Sequence, residues 1–341
     1  MKLLFDIGHP AHVHLFRNFI SYLKKRNQEI CVVSRDKDIT NLLLDYYGIS
    51  YICLSSAKKG FLLMFAELIY RNYKILKLHN RIKFDAAFGT SVSIAHLSAL
   101  KGIPSYNFNE DDDDVVPLYS LLTYPFAPLI LHPQCIRFKR WRKKRVLYPS
   151  YHELAYLHPN NFAPDSRILR NYNLKEKKYV VVRFSSLNAH HDTGQRGISN
   201  LLWSRIESLC EGYIIVFSIE GERSHQIRPW DMHHVLAFAK MIISDSQTMT
   251  VESAVLGVPS IRINSFFDRC SILDELENKY ELTFAFHPDQ KEQILKKTSD
   301  ILIDENSDYL WDQRRKRLLK NKVDFNKWLI DFSESELLGH A

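Results

Sequence analysis

Cysteine is sparse in this chain. Five residues, Cys31, Cys53, Cys135, Cys210 and Cys270, are scattered over 341 positions without a Cys-x-x-Cys, which excludes a disulfide framework or a zinc knuckle and fits a reducing cytoplasm. Long apolar runs are missing too. The N-terminal MKLLFDI meets Asp6 too early for a signal peptide, and LLTYPFAPLILHP is broken by Pro125 and Pro128, so a soluble chain without a membrane span is expected. No Gly/Ser-rich, Pro-rich or repeated tract interrupts a composition of 45% hydrophobic and 25% charged residues, which excludes wholesale disorder. Acids are outnumbered, with 39 Asp and Glu against 46 Lys and Arg. Seven of the cations fall in RFKRWRKKR, Arg137 to Arg145, with no acid among them. Such a segment suits a solvated loop beside a domain boundary or a peripheral contact with anionic membrane. No nucleic-acid-binding motif accompanies it, and nucleic acid is not expected as a partner.

What is present is a rhythm. Apolar runs of strand length (KLLFDI, EICVVS, SYICL, DAAFG, PSYNFN) alternate with helical segments at Val13 to Lys25, Asp38 to Tyr47, Phe61 to about Ile82 and Val92 to Lys101. That order calls for a parallel sheet covered by helices. It lapses between about Leu131 and Asn173, among Pro133, Pro149, Pro159 and Pro164, and we read the lapse as the crossing between domains. Alternation resumes with KYVVVRFSS, YIIVFS, MIISD and PSIRIN, separated by helical segments. The expected class is α/β with two Rossmann-like parallel-sheet domains, over 1–163 and 164–323. The apolar stripe of a helix in 324–341 (Phe325, Trp328, Leu329, Phe332) could pack on either, the N-terminal domain being the candidate.

The segment MIISDSQTMTVESAVLGVPSIRI carries the most chemistry. A strand ending near Ile243 is followed by Ser244, Asp245, Ser246, Gln247 and Thr248, and then by a helix with Glu252 in its first turns. Unpaired amides at a helix start and neighbouring hydroxyls can cradle phosphate. A carboxylate one turn in suits a ribose hydroxyl pair instead. An ordinary capped helix, with Asp245 or Ser246 as cap and Gly257-Val258-Pro259 as the turn, accounts for the same spacing.

At the other end, FDIGHPAHVHLFRN places His9, His12 and His14 directly after the first strand. Ligands of open α/β sheets bind at the carboxyl ends of strands. For His12 three roles stay open: general base, hydrogen bonding to acceptor or phosphate, and helix capping. For His14 a core or cap role is expected. A His-x-His after a first strand also suits a metal barrel, with His190-His191 and His233-His234 as further ligands, but two α/β units make a poor barrel and no metal is expected.

These motifs resemble a known group. The stretch SDSQTMTVESAVLGVP is similar to the phosphate-and-ribose loop of the UDP-N-acetylglucosamine 2-epimerase and GT-B glycosyltransferase superfamily, which places Asp245, Ser246, Glu252, Gly257 and Pro259 on matching positions. Gln247 and Thr248 stand where that pattern often has glycines; their side chains can substitute as donors. GHPAHVHLFRN, YHELAYLHPNNFAPD and VVRFSSLNAHHDTGQRG together resemble the domain-of-unknown-function 354 family, a GT-B-like group, over nearly the whole chain. The resemblance implies two domains facing a cleft and a UDP-linked nucleotide-sugar donor. Inverting glycosyltransferases similar to the first segment open the acceptor site with a glycine-histidine loop, which implies substrate contacts for Gly8 and His9 and makes His12 the best match to that histidine.

Carboxylates bear on the reaction. Five acids run from Glu110 to Asp114, for which an exposed loop is the default reading. The epimerase comparison places Glu110 on a catalytic glutamate and expects an aspartate where Thr90 stands, which weakens epimerisation. Glycosyl transfer needs a base for the acceptor hydroxyl, and His12 qualifies. It also needs donors to a leaving diphosphate: amides near Ser246 and Gln247, helped by Arg183, Ser185 or Arg262. Glu220 and Glu222 follow the next strand, as nucleotide contacts or a polar turn. The expected activity is therefore metal-independent glycosyl transfer to a glycan or lipid-linked acceptor in surface polysaccharide or glycolipid biosynthesis. It would need no cofactor and take place in the cytoplasm or at the inner face of the membrane. A sugar-nucleotide epimerase and a non-catalytic sugar-nucleotide-binding protein are the alternatives.

Overall fold

The computed structural model describes residues 1–139, 141, 144–184, 199–219, 227–264 and 270–338. The chain forms two compact units, Met1–Tyr156 with Val323–Ala341, and Leu157–Lys322.

In unit 1 the strands are β1 (Lys2–Ile7), β2 (Glu29–Asp36), β3 (Tyr51–Ser56), β4 (Ala86–Gly89), β5 (Ser105–Phe108), β6 (Leu129–Pro133) and β7 (Arg145–Tyr148). They make a seven-stranded sheet in the order β3-β2-β1-β4-β5-β6-β7, parallel at every pairing. The intervening helices are α1 (Pro10–Lys25), α2 (Thr40–Tyr46), α3 (Phe61–Ile82), α4 (Val92–Lys101), α5 (Pro117–Thr123) and α6 (Leu154–Leu157). The order reverses between β1 and β4, where the switch-point rule puts a ligand. The core is aromatic: Phe5 stacks on Phe88 with centroids 5.1 Å apart, and Phe16 meets Phe108 edge-on at 5.4 Å.

The stretch read as a crossing, from Leu131 to Asn173, proves to hold the end of β6 and all of β7. Both strands are short, and the prolines and cations around them hide a pattern of which only Ile130, Leu131 and a few neighbours are apolar and buried. As the last strand in the order, β7 needs an apolar face on one side only.

Unit 2 contains β8 (Tyr179–Phe184), α7 (Asn200–Leu209), β9 (Ile214–Ile219), α8 (Met232–Ala237), β10 (Met241–Ser244), α9 (Gln247–Leu256), β11 (Ser260–Ile263), α10 (Ser271–Asn278), β12 (Thr283–Phe286), α11 (Lys291–Ile303) and α12 (Ser307–Asn321). Its sheet is parallel, five-stranded and ordered β12-β11-β10-β8-β9. Helix α9 is buried from Met249 to Leu256 and ends at Gly257 with φ +77°, a left-handed turn that glycine adopts without strain. A Cβ there would also stand 2.8 Å from Arg315 Cδ.

The last helix, α13 (Phe325–Ser333), belongs to unit 1. Phe325 is fully buried, with its ring 4.4 Å from that of Tyr148, and Ser150 Oγ donates to Val323 O at 2.6 Å.

Candidate active site

The carboxyl edge of unit 1 gathers histidines. After β1 and Gly8 the chain reaches His9, whose extended backbone and ring Nδ1, accepting from Ala11 N at 3.2 Å, cap α1. Pro10 follows as the first helical residue, so the helix starts three residues ahead of the expected Val13. The cap is therefore His9, and His12 lies inside the first turn. Thr90, just past β4, brings its Oγ1 to 2.9 and 3.1 Å from the two ring nitrogens of His12. Gly89 allows that approach, since a Cβ there would lie 2.8 Å from Asp6 O on β1. Burial, with His9, His152 and Lys37 nearby, holds His12 well below the usual histidine range. The ring is neutral at neutral pH and able to accept a proton. His14 is a core residue, its ring 5.1 Å from that of Tyr156.

The acidic run is folded, not the exposed loop expected. Asp112 Oδ1 accepts from Arg137 N at 2.6 Å, and the Asp113 carboxylate accepts from Lys139 N at 3.0 and 3.1 Å; both acids are buried. Asp114 pairs with the Lys139 ammonium. The acids thus hold the start of the basic segment, and backbone amides replace the water that an exposed loop would use. Glu110 instead meets the segment after β7: Oε1 accepts from His152 N at 2.5 Å, and Oε2 lies 3.1 Å from His152 Nδ1. Burial raises the Glu110 carboxyl and lowers the His152 imidazole. Both are driven toward their neutral forms, which leaves a protonated acid beside a neutral imidazole.

The edge of unit 2 is made of hydroxyls and amides. Ser246 caps α9, its side chain accepting from Met249 N at 3.4 Å, while its own amide donates to Ser244 Oγ at 2.9 Å. The Ser246 amide is thus occupied, contrary to expectation, because the end of β10 supplies an acceptor. The amides of Gln247 and Thr248 precede the helical ladder and are not committed to it. Arg183, in register with Ser244 of β10 and Ser218 of β9, donates from one terminal nitrogen to Ser218 Oγ at 2.8 Å. Its buried Nε has no hydrogen-bond partner among the described residues. The amide of Asp245 donates to Arg183 O at 3.2 Å, and its carbonyl accepts from Asn264. Glu252 is buried, with Oε1 2.9 Å from His233 Nε2. Arg262 is almost fully buried on β11, which removes it from the surface that a diphosphate would approach.

Of the expected residues, His9 and His12 come together with centroids 5.6 Å apart, and Arg183, Asp245, Ser246, Gln247 and Thr248 share one edge. Ser185, Glu220, Glu222 and His190-His191 lie outside the described residues. Sequence reasoning missed Thr90 and His152 as partners of His12 and Glu110. The motif YHELAYLHP contains His152 and was the available signal. Among the described residues no group of three or more His, Cys, Asp or Glu is placed to hold a metal ion, and no helix is long and apolar enough to cross a membrane.

The chain belongs to the family described as "Protein of unknown function (DUF354)", which it matches over residues 1–267. No curated protein matches it. Its fold is that of GT-B-like proteins. Staphylococcus aureus MnaA, in a co-structure with UDP, superposes with a TM-score of 0.72 at 12% identity, covering 99% of this chain and 97% of the other. UDP-GlcNAc 2-epimerase of Neisseria meningitidis bound to UDP-GlcNAc gives 0.67 at 12% identity, covering 94% and 100%. The glycotransferase of kitacinnamycin gives 0.63 at 10%, covering 98% of each.

Proposed function

We propose that the chain is a nucleotide-sugar enzyme, and that it transfers the sugar of a UDP-linked donor to a glycan or lipid-linked acceptor in surface polysaccharide or glycolipid assembly. The observation that carries this reading is the edge of unit 2, where Arg183 offers a buried Nε and α9 offers the amides of Gln247 and Thr248. Such donors suit the charge that develops on a departing diphosphate. Glu252, oriented by His233, is the residue for the ribose. UDP in the S. aureus co-structure and UDP-GlcNAc in the N. meningitidis one support a uridine nucleotide here. In unit 1, Gly8 and His9 line the substrate edge and His12 takes the proton of the acceptor hydroxyl, its neutral ring held by Thr90. The donors named are protein groups, and the reading calls for no cofactor.

A second reading is favoured by one observation. The half-buried Glu110 keeps its proton beside His152, and an acid poised in this way is what elimination and re-addition of UDP in an epimerase would use. A thermal-shift screen over nucleotide sugars, followed by product analysis with and without acceptor, tests both. A donor raises the midpoint by mass action. Conversion of UDP-GlcNAc to its 2-epimer without acceptor selects the second reading, and a screen in which no nucleotide sugar stabilises the chain defeats both.

A further inference from the structure

Helix α3 is built inside out. Its two charged residues nearest the sheet are buried: Glu67 takes both Arg35 Nε and a terminal Arg35 nitrogen at 2.7 Å, together with Ser55 Oγ at 2.7 Å. Arg71 pairs with the buried Asp6 and donates to Ser34 O at 3.2 Å. The outward stripe, at helical spacings of three and four, is apolar: Leu62, Phe65, Ile69 and Tyr73 are 80%, 49%, 55% and 59% exposed. An amphipathic helix on a soluble domain does the reverse. Over the first turns, residues 61–66 are exposed without interruption, so that FLLMFA presents apolar atoms on every side of the helix. A contiguous patch of this kind marks an interaction surface.

The charges around it say which. Exposed Lys58 and Lys59 precede the helix, exposed Lys77 and Arg81 follow the stripe, and from Ala57 to Phe84 the only acid is Glu67, which is turned inward. We propose that α3 lies in the interface of an anionic lipid bilayer, its apolar stripe among the acyl chains and its flanking cations at the headgroups. A second copy of the chain would face the same cations and meet like charge, and one rigid face cannot cover a helix end that is apolar all round. A fluid acyl phase can. This surface is separate from the basic segment Arg137–Arg145, whose described cations are largely engaged: Lys139 pairs with Asp114, Lys144 donates to Pro125 O at 3.1 Å, and Arg145 reaches His132 at 2.7 Å. The proposal stands independently of the nucleotide reading.

The test is co-sedimentation of the full chain with vesicles of phosphatidylcholine alone and with about a third of phosphatidylglycerol. Anionic vesicles should take up about tenfold more chain than neutral ones. The triple variant L62S/F65S/I69S should lose about tenfold or more of that binding, with an unchanged thermal midpoint because these side chains are exposed. Lys58→Glu with Lys59→Glu should abolish the preference for anionic lipid. In Leu62→Trp the indole emission should move to shorter wavelength on addition of anionic vesicles. A triple variant that sediments like the parent, or a Leu62→Trp emission indifferent to vesicles, would overturn the proposal. So would a chain that is dimeric in solution and becomes monomeric in the triple variant, since a second copy would then be the occupant.

Discussion

The two sheet edges are built from different chemistry. Unit 1 ends in histidines and a carboxylate, His9, His12, Glu110 and His152, each beside another, and desolvation shifts the last three toward their neutral forms. Unit 2 ends chiefly in serine and threonine hydroxyls, helix amides and one arginine, with a single buried Glu252–His233 pair among them. An edge of the first kind moves protons and is sensitive to small changes in dielectric. One of the second kind holds an anion at constant strength. The difference teaches that binding and turnover should separate cleanly by mutation.

The sharpest break in that comparison comes from His12. His12→Gln should lower turnover of the donor by on the order of a hundredfold or more, the usual scale for losing a general base, while UDP affinity measured by calorimetry stays within a few-fold. Next is the opposite edge. Arg183→Met removes a charge-assisted donor and should weaken both UDP and inorganic diphosphate by roughly tenfold or more in the same titration. Glu252→Gln, which preserves an acceptor for His233, should weaken UDP by about three- to tenfold and leave diphosphate unchanged. Equal losses for the two ligands would deny Glu252 its ribose role.

A pH scan sharpens the contrast further. Because Glu110 is raised by burial, to about 8, its stabilising effect is complete below the ordinary carboxylate range near pH 4 and drains away as pH rises through about 8. His152 is lowered by burial, to about 3, so its effect is present above the ordinary histidine value and fades as pH falls. The thermal midpoint should fall by roughly 3 °C or more between pH 6 and 9, and Glu110→Gln should flatten that decline. The smallest effect belongs to His14→Gln, which should change turnover by less than about threefold and show itself only in the melting midpoint, as a core substitution does.

The alternation of strand and helix was legible because each run is long enough to show its period, and α9 starts at Gln247, inside the polar run expected to precede it. β6 and β7 were not, since four or five residues among prolines and cations show no period. The partners in the site were hidden for another reason. Thr90 and His12 are 78 positions apart, and His152 and Glu110 are 42 apart; only folding of the sheet edge joins them. α3 was legible as a helix and illegible as a surface, because periodicity reports that one face is apolar and not which face turns inward. The half-buried Arg35–Glu67 pair and the buried Arg71–Asp6 pair supply that second fact.

The return of α13 to the first unit has a consequence in time. A ribosome emits β1 to β7 first, then the whole of Leu157–Lys322, and only afterwards the segment that seats Phe325 against Tyr148. During synthesis the earlier sheet therefore waits with an uncovered aromatic surface until the whole of the second unit has been made. A chain ended after Lys322 and released from the ribosome should keep its second unit resistant to protease while its first unit, lacking the segment that seats Phe325 against Tyr148, is cut.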